Sequence, residues 1–368
     1  MGEDKELFQM KKKHSWLVMA AALLVAAVTV SVLVLTRGKS QAYTSEERSL
    51  EDFLSMVPAE AFQWDNLSFA DYQGIRSPTE ITAGFYHLTS YYFNNEKISA
   101  SMGFSPEDVG QSMAIGTVPF DQAWLKGKFA TERVEEALKK QGYLPIMPEQ
   151  EGLPLWGLEG NFSAGLQIDT EKRDMFFLFG GQTGQRWPVA FDEGVMVSSR
   201  DEQALRVSAA GKGPMLSEDP RMQTLLKALA QQPVKQLIVT QAVKVMPLLA
   251  EPLHLIAIAQ TEERGKTVVL LGLEYADLSA AQTAEKRLNR SLPNAVLKIN
   301  HRPLTEQLNE HGGKRMALRT VEGQEGKCWL VIPFQFTESG NTNPLQYGAP
   351  FRLFAQMMSR LDMDWLME

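Results

Sequence analysis

The sequence predicts an α+β protein: two antiparallel-sheet lobes with helices packed on one face, preceded by a single transmembrane helix. Three observations carry this reading. One is a twenty-residue run without a charge near the N-terminus, Trp16 to Leu35. Another is the alternation of short β-branched and aromatic runs with helix start signals over the remainder of the chain. The last is a strand, strand, helix order that occurs at residues 113–142 and again at 253–291. It matches in element order and not in letters, which suggests two related lobes.

The apolar run WLVMAAALLVAAVTVSVLVL contains only Thr29 and Ser31 as mildly polar members. At about 1.5 Å per residue, a helix of this length spans a hydrocarbon core of roughly 30 Å. A helix is required there, because unpaired backbone groups are too costly in lipid. Lys5, Lys11, Lys12 and Lys13 precede the run, while Arg37, Lys39 and Arg48 follow it. The small excess before it places the N-terminus inside and the bulk of the chain outside. A cleaved leader competes with this reading, since Ser40-Gln41-Ala42 offers small residues to a peptidase. The length of the apolar run and the intervening Arg37-Gly38-Lys39 favour retention. The expected organisation is a short cytoplasmic tail (1–15), the membrane helix (16–35), a polar spacer (36–49) and two extracytoplasmic lobes (50–213 and 214–368).

Composition sets further bounds. With 44% hydrophobic and 22% charged residues, the chain is too apolar to be disordered and can build a real core. More than 300 residues beyond the membrane run exceed the usual reach of one core, so two domains are the default. A net charge of -7 argues against nucleic acid as a partner. The one lysine run, Lys11 to Lys13, sits where membrane topology explains it. A single cysteine, Cys328, excludes an intramolecular disulfide and any site built from several thiolates. Its strand-like context, Cys328 to Ile332, predicts an inert buried thiol.

Along the chain, Ser77-Pro78-Thr79-Glu80 opens a helix whose stripe is Ile81, Phe85, Leu88 and Tyr92. Ser105-Pro106-Glu107-Asp108 opens a short helix containing Val109 and Met113. Strands are expected at 113–119 and 124–129, then a helix at 132–141 capped by Thr131 and ended by Gly142. Residues 144–163 read as an extended loop, followed by strands at 162–168, 175–179, 187–190 and 194–197. Ser199 and Glu202 form a capping box for the next helix. Asp219-Pro220 starts an amphipathic helix through Met222, Leu225, Leu226 and Leu229. A hairpin follows, 253–261 and 267–275 around Glu262 to Gly265, and Asp277 caps the helix after it. Strands at 295–299, 315–321 and 327–334 and a helix at 351–358 complete the pattern.

No reactive constellation stands out. Gly180-Gly181-Gln182-Thr183-Gly184 lacks the lysine and following helix of a phosphate loop, and Pro188 argues for a turn. Gly110-Gln111-Ser112-Met113-Ala114 lacks the final glycine of a nucleophile elbow. His301 and His311, with Glu306 and Glu310, make the least poor zinc set, but their spacing is not that of a helical pair. No catalytic, metal or cofactor residue is therefore assigned. Aromatic side chains give the only positive hint: Tyr86, Tyr91 and Tyr92 crowd one end of the first helix, and Trp156 and Trp187 sit in glycine-containing connections. Together they form a candidate partner-binding set, although core packing is the commoner use of such residues. The seventeen methionines read first as core fillers.

The functional expectation is an anchored extracytoplasmic protein that binds a protein or envelope partner, as scaffold or sensor, without catalysis. An anchored hydrolase acting on an envelope component is the alternative.

Overall fold

A computed structural model describes residues 50–62, 65–72, 83–84, 95–116, 122–146, 152–229, 233–246, 253–298, 300–323, 326–337 and 349–366. The expected membrane helix, the spacer and the first amphipathic helix lie outside these residues. No helix among the described residues is long and apolar enough to cross a membrane.

Residues Arg48–Glu368 form one compact unit of mixed helix and antiparallel sheet. Its first half runs α1 (Leu50–Leu54), β1 (Asn66–Asp71), α2 (Asn95–Met102), β2 (Val109–Ile115), β3 (Gln122–Gly127), α3 (Thr131–Lys140), β4 (Tyr143–Ile146), β5 (Leu155–Leu158), β6 (Val189–Phe191), β7 (Val195–Ser199) and α4 (Glu202–Ala210). The second half runs α5 (Pro220–Leu229), β8 (Val234–Gln241), α6 (Ala242–Val245), β9 (Leu253–Glu263), β10 (Lys266–Tyr275), α7 (Leu278–Ser291), α8 (Leu304–Glu310), β11 (Gly313–Arg315), β12 (Arg319–Glu322), β13 (Cys328–Phe336) and α9 (Ala349–Ser359).

Among the described residues, all thirteen strands belong to one sheet, ordered β11-β13-β10-β9-β8-β1-β2-β3-β7-β6-β5-β4, with β12 also on β13. The two halves meet where β1 pairs antiparallel with β8, Leu67 opposite Val239 and Phe69 opposite Leu237. On either side of that joint the order repeats: β1-β2-β3 then α3, and β8-β9-β10 then α7. The expected lobes are therefore two halves of one continuous sheet, not two separate sheets.

Helices cover both faces of the sheet, which corrects the expectation of a single covered face. On one face a single apolar cluster runs through both halves. Leu67, Phe69, Met113, Trp124, Leu237, Val239, Ala257, Leu270, Trp329 and Val331 meet Phe53 of α1, Leu205 of α4 and Met222 and Leu225 of α5. Gly272 of β10 makes room here, since a Cβ at that position would lie 3.1 Å from the Trp329 ring. On the opposite face the packing splits. Ile256, Ile258, Leu271, Leu330 and Phe334 lie beneath α7 and α9. Separately, Leu125, Val189, Phe191 and Met196 lie beneath α2 and α3, with Phe177, Phe179 and Trp187.

Local signals account for many element boundaries. Asp277 Oδ1 accepts the Ala280 N–H at 2.8 Å, and Asp219 Oδ1 accepts from Arg221 and Met222 at 2.9 Å, as the sequence predicts. The β9-β10 hairpin closes on Arg264 and Gly265, both at positive φ (51° and 73°), the two-residue turn whose twist matches the flanking strands. Other expectations fail. The cap of α4 is Asp201, whose carboxylate accepts from Ala204, while Ser199 Oγ accepts the Asp201 N–H instead of starting a capping box. Helix α3 has no side-chain cap, because Thr131 is already its first residue. Ser105 and Asp108 do form their box, but the 3-10 turn Pro106–Asp108 passes directly into β2, so Val109 and Met113 are strand residues. Among the described residues, 162–168, 175–179 and 295–298 belong to no strand: the first two lie in a looped excursion of short turns, and after the 3-10 turn Leu292–Asn294 there is only an isolated bridge from Val296 to Pro303.

One buried charge ties the continuous face together. Glu274 of β10 is fully buried, and Arg221 of α5 grips it with two hydrogen bonds, Nε to Oε1 at 2.7 Å and Nη2 to Oε2. Removing one partner strands the other charge away from water, so Glu274→Ala should cost about 3–5 kcal/mol. Replacing both partners by Leu and Met should recover most of that loss. The urea midpoints of the single and double variants check the expectation.

Candidate functional site

The gap between the two apolar clusters on the split face is the most distinctive polar feature of the fold. There the central strands present hydrogen-bonding side chains where a packed sheet normally presents aliphatic ones. Register aligns them: Ser112 of β2 lies opposite Ala70 of β1, Ala70 opposite Gln236 of β8, and Gln236 opposite Gln260 of β9. Ser68 stands one row along, opposite Ala114 and Ile238. Ser68, Ser112 and Gln236 are all buried, at 5%, 0% and 1% exposure.

Two consecutive backbone amides occupy this seam. The Ala83 N–H donates to Gln236 Oε1 at 3.1 Å, and the Gly84 N–H donates to Ser68 Oγ at 2.8 Å. The Gln236 amide is oriented from behind, its Nε2 donating to Gln260 Oε1 at 2.9 Å. Tyr72 and Ser112 share a hydrogen bond on the other side. Gly84 has φ +81°, and a Cβ there would come within 2.6 Å of Ser112 Oγ and 2.7 Å of Ala70 Cβ. Only glycine fits this conformation and this space without displacement.

At the ends of the two joining strands, on either side of the seam, ion pairs link the halves: Lys235 with Asp71 at 3.8 Å, and Lys244 with Asp65. Asp71 is 2% exposed, so this charge is held where it needs its partner.

Of the residues singled out in the sequence, Tyr86, Tyr91 and Tyr92 lie outside the described residues. Trp156 and Trp187 are brought into the same apolar cluster and are buried, at 4% and 2% exposure. Trp187 donates its indole N–H to Gln185 Oε1 at 3.2 Å, and its carbonyl accepts the Tyr143 hydroxyl at 2.8 Å. Burial pushes the Tyr143 phenol well above its ordinary range, opposed in part by Arg186. Trp156 packs on Phe191 with ring centroids 6.2 Å apart, beneath Lys139. Neither indole offers a face to a partner in this conformation. Both do what core aromatics do.

The other candidates have equally specific places. Gly180 and Gly184 both take positive φ around the 3-10 turn Gly181–Thr183, and Thr183 Oγ1 donates back to Gly180. The cluster is a folded turn against Trp187, and its Gly181 and Thr183 carbonyls accept the Asp174 and Asp169 N–H groups. Arg302 bridges Glu306 at 2.7 Å and also pairs with Glu310, holding the Glu310 carboxyl below its usual range. Those carboxylates thus serve an exposed guanidinium. Among the described residues no three His, Cys, Asp or Glu side chains converge as metal ligands would. Gln111 and Ser112 lie mid-strand in β2, not on a turn.

Cys328 begins β13 and is 1% exposed. Burial first, and then the Glu322 carboxylate, raise its thiol above the ordinary range. Both effects suppress the thiolate, and burial also blocks access.

No family model matches the chain, and no curated protein sequence matches it. Among solved structures it is similar to crystal form IV of TP0453, with 10% identity over 82% of this chain and 96% of that one, at a TM-score of 0.39. Crystal form I of TP0453 gives 12% identity over 84% and 97%, with a TM-score of 0.37. That overlap is too low for a role to be transferred.

Native protein at pH 8 should react with iodoacetamide at least about tenfold more slowly than a free thiol, and fully once denatured. Mass-spectrometric labelling kinetics at Cys328 check this.

Proposed function

We propose that the protein is held at the membrane by residues 16–35 and presents its folded unit on the extracytoplasmic side. There it acts by binding a protein or envelope component, as a scaffold or sensor, and performs no chemistry itself. The observation that carries this reading is the uncharged twenty-residue run between Trp16 and Leu35, followed by a unit of over 300 residues with its own cores. A run of that length and composition is stable across a bilayer and unfavourable in water. The excess of lysine before it supports an inside N-terminus. Tyr86, Tyr91 and Tyr92 are the residues we assign to partner contact, since Trp156 and Trp187 are committed to the core.

The test is fractionation combined with protease access. Full-length protein should stay with membranes through alkaline carbonate and leave only with detergent. Protease added outside intact spheroplasts should remove a C-terminal tag. Recovery in the aqueous fraction without detergent, or a tag protected until lysis, would contradict the proposal. Crosslinking in native membranes, compared with a Tyr86/Tyr91/Tyr92→Ala variant, should show a partner band that weakens severalfold in the variant.

A further inference from the structure

Beneath α5, where β12 pairs with β13, two donors on neighbouring strands have nothing to donate to. Arg319 Nε and Trp329 Nε1 are both shielded from solvent, and neither has an acceptor among the described residues. We propose that these two N–H groups hold a small monovalent anion, a halide or a single carboxylate, in a site that fastens β12 to α5. The inference is independent of the membrane anchor and needs only the folded unit.

Register brings the two side chains together. Arg319 lies opposite Val331, and Trp329, two residues along the same strand, rises from the same face. Diagonal neighbours across an antiparallel pair stand about 7–8 Å apart, within reach of long side chains. Helix α5 covers both. Arg319 Nη2 donates to the Ala228 carbonyl at 2.8 Å, and Trp329 packs in the cluster that holds Met222, Leu225 and Ala228. Arg319 is half-buried and Trp329 fully buried, so the guanidinium stands at the solvent side of the site and the indole at its floor.

Charge balance selects the ligand. The Arg221 guanidinium is already matched by Glu274. Arg319 pairs with no carboxylate among the described residues, and the carbonyl end of α5 offers it only a partial negative charge. One positive charge and two N–H groups are thus left over where water is largely excluded, a cost that an acceptor bearing one negative charge removes. A water could take both hydrogen bonds but leaves the charge unmatched. Glu274 lies opposite Trp329 on β10, so a dianion such as sulfate would meet its carboxylate. Trp124 provides the contrast: its indole N–H also lacks an acceptor, but its strand partners are Met113 and Val197, which bring no cation.

The test uses full-length protein in detergent micelles, with isotope-labelled tryptophan and arginine, followed by NMR. Sodium sulfate is replaced at constant ionic strength by sodium chloride in one series and by sodium acetate in another. The Trp329 indole and Arg319 Nε–H signals should shift together and saturate with one midpoint for chloride, acetate or both, while the Trp124 indole stays in place. Arg319→Gln should raise that midpoint about tenfold or more, the worth of one charge-assisted hydrogen bond. A Trp329 indole that ignores both anions and exchanges magnetisation with water instead would show an ordered water only and overturn the site. So would a response that Arg319→Gln leaves unchanged. If Arg319→Gln does not fold, the wild type decides: a shared midpoint for the two signals supports the site, and separate midpoints or a shift in only one of them overturns it.

Discussion

Everything in this fold hangs on the antiparallel pairing of β1 with β8. That ladder turns two sets of strands into one sheet, and it places Leu67 and Phe69 of one half beside Val239 and Leu237 of the other. All four side chains are fully buried in one cluster that reaches from Trp124 to Trp329. Burying such a side chain contributes about 1.5–3 kcal/mol, so four contribute about 6–12 kcal/mol. Whole domains are stable by only about 5–15 kcal/mol. Parting the halves along this line would expose part of that shared apolar surface, so the two sets of strands draw on one core.

The same pairing explains why the other face carries a polar seam. Helices α7 and α9 cover the outer strands of the second half, and α2 and α3 cover those of the first. Between them the joint is left to short or amide side chains. A sheet face that water cannot reach must still satisfy its hydrogen-bonding groups. The backbone amides of Ala83 and Gly84 do so for Gln236 and Ser68.

Much of the local structure was legible in the sequence, and the joint was not. The β9-β10 hairpin, helices α5, α7 and α9, and β13 announce themselves through caps, turn residues and periodicity. Neither β1 nor β8 does. In Asn66-Leu67-Ser68-Phe69-Ala70-Asp71, every second residue is small or polar, and Val234 to Gln241 interleaves Lys235, Gln236 and Thr240 with its aliphatics. Such residues read as solvent-facing or as connecting chain, yet here they line a buried seam. Without these two strands the remaining pattern falls into two lobes, which is why a division at 213/214 looked natural. Pairing partners about 170 residues apart leave no mark on local periodicity. The aromatic hint shows the complementary limit: glycine-flanked tryptophans resemble exposed loop residues, but Gly180 and Gly184 only fold the chain tightly enough to bury Trp187.

Native-state hydrogen exchange at rising denaturant, following β2 and β3 in one half and β9 and β10 in the other, tests the joined sheet most directly. If one core spans the β1·β8 ladder, the slowest amides of both halves converge on a single opening free energy and a single denaturant dependence. Two distinct isotherms, with one half opening while the other stays protected, would mean that the halves are separate domains after all.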